Sequence, residues 1–197
     1  MSSKNSGSAT DATPEACLPL IDGLVVRPFP ETEFQDDTGD GGPDHLIRVL
    51  HRSRDFWDAE DPQVWEQVDA ELSACLDALI AVCTARWGDP LVVELWAECG
   101  DGDGDGARRD VPEPLCTLSQ VTTSMYAWPL SGGDRWLGLA LGQADKELPM
   151  ELLAAVGLPA ALDGVPHGDP RTPWCCSAED ATGANGTRGR TGAPTGL

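Results

Sequence analysis

The 197-residue chain predicts a single small α+β domain with a mainly antiparallel sheet in a βαβββα-like order, one long amphipathic helix and a short C-terminal helix. Three observations carry that expectation. Apolar residues recur at helical spacing between Val64 and Cys83; the segments 124–130 and 134–142 flank a Gly-rich turn as a hairpin would; and the length suits one ordinary core with tails.

Residues 1–16 are Ser, Thr, Ala and Gly with few large apolar side chains, so they cannot offset the entropy of ordering and are expected to form a disordered tail. The folded domain is placed at 17–165. LIDGLVV (20–26) and HLIRVLHR (45–52) both read as strands, separated by ETEFQDDTGDGGPD (31–44), an acidic loop in which Asp and Gly cluster without apolar periodicity.

Asp61-Pro62 marks the start of the long helix, an acceptor side chain at the N-cap followed by Pro at the first helical position. Val64, Trp65, Val68, Leu72, Cys75, Leu76, Leu79, Ile80, Val82 and Cys83 then fall within an arc of roughly 160°, the stripe of a core-facing helix. Gly88-Asp89-Pro90 ends it.

LVVELWAEC (91–99) follows as a strand, then an acidic Gly-rich loop at 100–114. SMYAWPL (124–130) and DRWLGLALG (134–142) make the hairpin around Ser131-Gly132-Gly133, and Pro129 marks the first of them as an edge or bulged strand because it cannot donate to a ladder. Leu137, Leu139 and Leu141 share one face of the second. Trp136, Gly138, Ala140 and Gly142 share the other, which is flat beyond the indole and expects either a closely packed helix or a partner. PMELLAAV (149–156) reads as the closing helix. Residues 166–197 are Gly, Thr and Pro-rich and expected to be disordered, with Trp174-Cys175-Cys176 the one apolar spot.

Thirty-three acidic against 13 basic side chains give a formal net charge of −20. In 167–197, Asp169, Glu179 and Asp180 are balanced by Arg171, Arg188 and Arg190, so the excess belongs to residues 1–166. Such a body repels phosphate backbones and anionic lipid, which disfavours direct nucleic-acid or membrane binding. No apolar run reaches the length of a signal peptide or a spanning helix, so the expected location is cytoplasmic. Arg outnumbers Lys 11 to 2, the usage of a high-GC bacterial genome. The seven cysteines are odd in number and lack Cys-x-x-Cys spacing, which argues against a disulfide framework or a zinc ribbon; Cys75 and Cys83 lie in the helical stripe as buried, inert thiols. No pattern specifies an oligomeric state.

DGDGDG (101–106) raises the question of calcium. Asp101, Asp103, Asp105, Gly106 and Ala107 match the first positions of an EF-hand loop, but position 12 is Pro112, Glu113 comes one place late, and Arg108 and Arg109 bring positive charge. These aspartates are weak metal candidates in what reads as a solvent-suited turn, and no cofactor is implied. Of the three histidines, His167 falls in the tail, His51 shares a strand face with Ile47 and Val49, and no Ser or Cys sits in a nucleophile turn with His45 or the others. One polar cluster remains, Gln143, Asp145, Lys146 and Glu147, on the turn after the last strand.

The pattern points to a non-enzymatic acidic protein that binds a basic protein partner, in the manner of an immunity or antitoxin-like inhibitor. The expected contact residues are Asp36, Asp37 and Asp40 in the acidic loop, Trp136 as an aromatic anchor, and Gln143, Asp145, Lys146 and Glu147. The alternatives are a DNA-mimicking regulator and an enzyme using carboxylates such as Glu94, Glu98 and Asp145 for acid/base chemistry.

Overall fold

One eight-stranded sheet, antiparallel at every pairing, carries helices packed against it. The computed structural model describes residues 12–57, 62–95, 111–163, 165 and 167–168. The α+β class and the dominance of antiparallel pairing are as the sequence predicts; several elements differ.

The chain enters on α1, Pro14–Val26, where the sequence pattern predicts a strand at 20–26 and a tail through residue 16. The local reason is a complete helix start. Thr13 accepts from the Ala16 amide, Pro14 occupies the first turn and Glu15 complements the helix dipole. Cys17, Ile21 and Leu24 then recur at helical spacing and are buried together.

The expected acidic loop instead holds a hairpin of β1, Phe34–Asp36, and β2, Gly39–Gly42, which pairs onto β3, His45–Arg52. Asp36 makes the turn by accepting from both the amide and the hydroxyl of Thr38 at 2.7 and 2.6 Å. Gly39 has φ +151°, and a Cβ there would stand 2.0 Å from the Ile47 carbonyl oxygen. The glycines that suggest a loop are what let this edge lie against its neighbour. In β3 the register shifts between Val49 and His51, so His51 pairs with Leu152 and leaves the Ile47–Val49 face expected for it.

α2, Pro62–Trp87, is the long helix. Its expected cap, Asp61, lies outside the described residues. Leu72, Cys75, Leu76, Leu79 and Cys83 are buried, whereas Trp65, assigned to the same stripe, is 40 % exposed. Gly88 ends the helix with φ +91° and donates to the Thr84 carbonyl. β4 covers Leu91–Glu94 only; 96–99 of the expected strand lie outside the described residues. α3, Leu115–Ser119, is one short turn of helix directly after the acidic segment at 100–114.

β5, Ser124–Pro129, and β6, Trp136–Gly142, form the expected hairpin. β5 is interior, between β4 and β6, and not the edge that Pro129 suggests. Pro129 runs two residues past the last pair with β4, Leu91 with Ala127, where no ladder bond is required of it. β7, Glu151–Gly157, replaces the expected closing helix. It lies between β3 and β6 and is buried on both faces, which is why its apolar run shows no alternation. A 3-10 turn, Pro159–Leu162, follows it, and β8, His167–Gly168, expected in the tail, pairs with β4. The order across the sheet is thus β1-β2-β3-β7-β6-β5-β4-β8.

The core has two layers. On one face Leu46, Trp128, Leu137, Leu139, Leu152 and Val156 meet Cys17, Ile21 and Leu24 of α1 and the buried stripe of α2. On the other, Trp136 gathers Ile47, Val93, Met125, Ala140 and Leu153 together with α3 and the 3-10 turn. The flat surface anticipated beside Trp136 is covered by that indole itself. A Cβ on Gly138 would lie 2.9 Å from the ring and one on Gly157 2.7 Å from it, and Nε1 donates to the Leu158 carbonyl at 2.9 Å. Trp136 is 1 % exposed, so it is a core residue and not a surface anchor.

Candidate functional site

Strand register brings two of the expected binding segments to one end of the sheet. β3 pairs with Gly42 at its start and with Glu151 at its finish, so the β1–β2 turn and the β6–β7 turn project from the same end. Asp36 and Asp37 lie on the first turn; Asp145, Lys146 and Glu147 lie on the second. With strands about 4.8 Å apart, β2 and β7 on either side of β3 are separated by roughly 10 Å.

The second turn is tightly built. Asp145 accepts from the Glu147 amide at 3.1 Å and Leu148 donates to the Asp145 carbonyl at 2.9 Å, so the Asp145 carboxylate organises its own turn. Gln143 donates to the carbonyls of Leu148 and Lys146 at 2.7 and 3.3 Å and accepts from Trp65 Nε1 at 3.1 Å. Phe56 donates to the Glu147 carbonyl, and Ser53 and Met150 exchange hydrogen bonds at 2.9 Å. The turn is thereby fastened to the chain leaving β3 and to the first turn of α2. Beneath it lies a cavity of about 200 Å³ lined by Arg52, Val121, Gln143, Leu148, Pro149 and Glu151. Arg52 and Glu151 form an ion pair at 2.5 Å in its wall.

Two aromatic side chains stand exposed at this end. Trp57 is 63 % exposed and Trp65 40 %, one just beyond the Phe56 contact and the other on Gln143. Sequence reasoning misses both. Helical spacing assigns Trp65 to the core, and the signal against it is DFWDAEDP, the acidic, Pro-ended stretch from Asp55 to Pro62 that contains Trp57 and ends three residues before Trp65.

Asp40, the third acidic residue of the expected surface, has a different task. His45 is 4 % exposed, its Nε2 lies 3.0 Å from Asp40 and its Nδ1 2.8 Å from Asp44. Burial of the ring pulls its pKa down, but the hydrogen bonds and charges of Asp44 and Asp40 together outweigh that and raise it above the usual histidine value. With both nitrogens engaged by carboxylates, this imidazole is a paired structural group and offers no free nitrogen for base chemistry.

Among the described residues, the alternative carboxylates Glu94 and Asp145 lie apart. Glu94 lies on β4, two strands from β6, and Asp145 is engaged in its turn; Glu98 is outside the described residues, as are Asp101, Asp103 and Asp105. Among the described residues no three His, Cys, Asp or Glu side chains converge on a metal position. Burial pushes the Cys17 thiol up to about 12 and the Cys83 thiol up to about 11, and it also raises Cys75, which suits packing and opposes thiolate chemistry. Among the described residues no helix is long and apolar enough to cross a membrane. Comparison of the chain with protein-family models, with curated proteins and with solved structures gives no match.

Proposed function

We propose that this chain is a non-enzymatic binding protein that captures a basic protein partner with the acidic, tryptophan-bearing end of its sheet. The carrying observation is the exposure of Trp57 and Trp65 beside a turn held rigid by Gln143 and Asp145. Large amphipathic rings on a pre-ordered surface supply contact area at low entropic cost, and such residues dominate binding energy where they become desolvated. Asp36, Asp37, Asp145 and Glu147 lie at the same end, and the net charge of −20 supplies long-range attraction for a cationic surface. Within this reading the protein acts in the cytoplasm, as an immunity or antitoxin-like inhibitor does, by covering its target.

Binding kinetics with the captured partner test this. The association rate should fall steeply as the Debye length shrinks from about 30 Å at 0.01 M salt to about 10 Å at 0.1 M. Asp36→Asn with Asp37→Asn should slow association, and Trp57→Ala should speed dissociation by about tenfold or more, as loss of an anchor residue does. An association rate insensitive to salt, or dissociation unchanged by Trp57→Ala, would reject the assignment.

A further inference from the structure

A second cavity, of about 380 Å³, opens between α2 and the sheet. The polar part of its helix wall is a single row: Asp69, Ser73 and Asp77 follow one another at four-residue spacing and so lie on one line along α2. At 1.5 Å rise per residue the two aspartate positions are about 12 Å apart. Leu76 and Leu141 supply apolar surface between the walls.

Ser124, on the sheet wall, distinguishes this cavity from a merely acidic surface. It is 8 % exposed, and among the described residues its hydroxyl has no hydrogen-bond partner. Strand alternation turns it toward α2 together with Tyr126 and Trp128. A buried hydroxyl left unpaired is destabilising, and natural structures keep few of them without a role. Directly across the ladder from Ser124 stands Glu94, which is exposed and does not line the cavity. Among the described residues no Lys or Arg lines the cavity.

Carboxylates spread along two turns of helix do not converge on a point charge, in keeping with the lack of a metal-ligating cluster among the described residues. They match an extended cation whose charges are separated by apolar chain. We propose that this cavity binds a linear aliphatic polyamine: its ammonium groups pair with Asp69 and Asp77, its methylene chain lies on Leu76 and Leu141, and one N–H donates to the Ser124 hydroxyl. The proposal does not depend on the protein-partner reading, since it uses none of the residues assigned to that surface.

Spermidine is the probe, titrated calorimetrically into the full chain at fixed ionic strength, with magnesium chloride as the comparison cation. One saturable site is expected, absent for magnesium. Asp69→Asn with Asp77→Asn should weaken spermidine by about tenfold or more, as loss of charged partners does, and Ser124→Ala should weaken it several-fold. Asp89→Asn with Asp134→Asn, the same charge change at the other end of the sheet, should leave it unaltered. The variants change solvent-accessible or small groups, and their melting curves report folding directly. Equal weakening by both charge pairs, equal binding of magnesium, or no saturable spermidine binding at millimolar concentration would each overturn the proposal.

Discussion

Gly157→Ala measures how closely Trp136 is seated, and therefore whether that indole belongs to the core. In the native packing an added Cβ would lie 2.7 Å from Cζ2, 2.9 Å from Cε2 and 3.1 Å from Nε1 of Trp136. Gly157 pairs with Trp136 on one side and His45 on the other, so the backbone cannot retreat without disturbing two ladders. Overpacking of that kind costs about 1 to 3 kcal/mol. Trp136→Leu alone removes much of a fully buried ring and leaves the Leu158 carbonyl without its donor, a loss approaching the roughly 3 to 5 kcal/mol typical of truncating a buried aromatic to Ala. In a chain already carrying Trp136→Leu the added methyl meets open space, so its penalty should shrink or reverse, giving a coupling of about 1 to 2 kcal/mol. Urea unfolding reads this directly, since a loss of about 2 kcal/mol moves the midpoint by about 1 M at ordinary slopes. A Gly157→Ala cost below about 0.5 kcal/mol, or the same cost in both backgrounds, would refute the packing and return Trp136 to the surface.

Two further outcomes follow from titratable groups. His45 has a folded pKa raised above its unfolded value near 6.5, so its contribution to stability is fully present below that pH and is lost as pH rises through the folded value. Unfolding free energy measured from pH 6 to 9 should therefore decline, and Asp44→Asn should flatten the decline; a stability that rises over this range would contradict the pairing of His45 with Asp44 and Asp40. Cys17 and Cys83, pushed up to about 12 and about 11 by burial, should react with a thiol reagent at pH 8 only as fast as the protein unfolds, while half-buried Cys116 reacts sooner. Mass spectrometry of the modified sites gives the order, and rapid modification of native Cys83 would show that α2 does not cover it.

Helix α2 and the β5–β6 hairpin were determined by sequence, because each has a local pattern that one backbone geometry satisfies and a Gly-containing end. The charge of the body and the polar turn at Gln143–Glu147 were equally plain, being properties of composition and of residue types that favour turns. Other elements waited on tertiary contacts. ELLAAVG has no alternation to read because β3 and β6 flank it and both faces are buried, so helix and strand look alike until its neighbours are known. GDGG is a strand only because β3 accepts it at a separation that side chains would forbid. Trp136 and Trp65 show the same limit in opposite directions: the indole expected at a surface fills the space above Gly138 and Gly157, and the one expected in the core hydrogen-bonds to Gln143 at the exposed end of the sheet. Burial depends on which elements pack together over long sequence separations. So does the cavity that sets Ser124 opposite Asp69 and Asp77, residues far beyond the reach of local periodicity. Local pattern specifies the faces that elements offer; only their assembly decides which face meets another and which is left to bind.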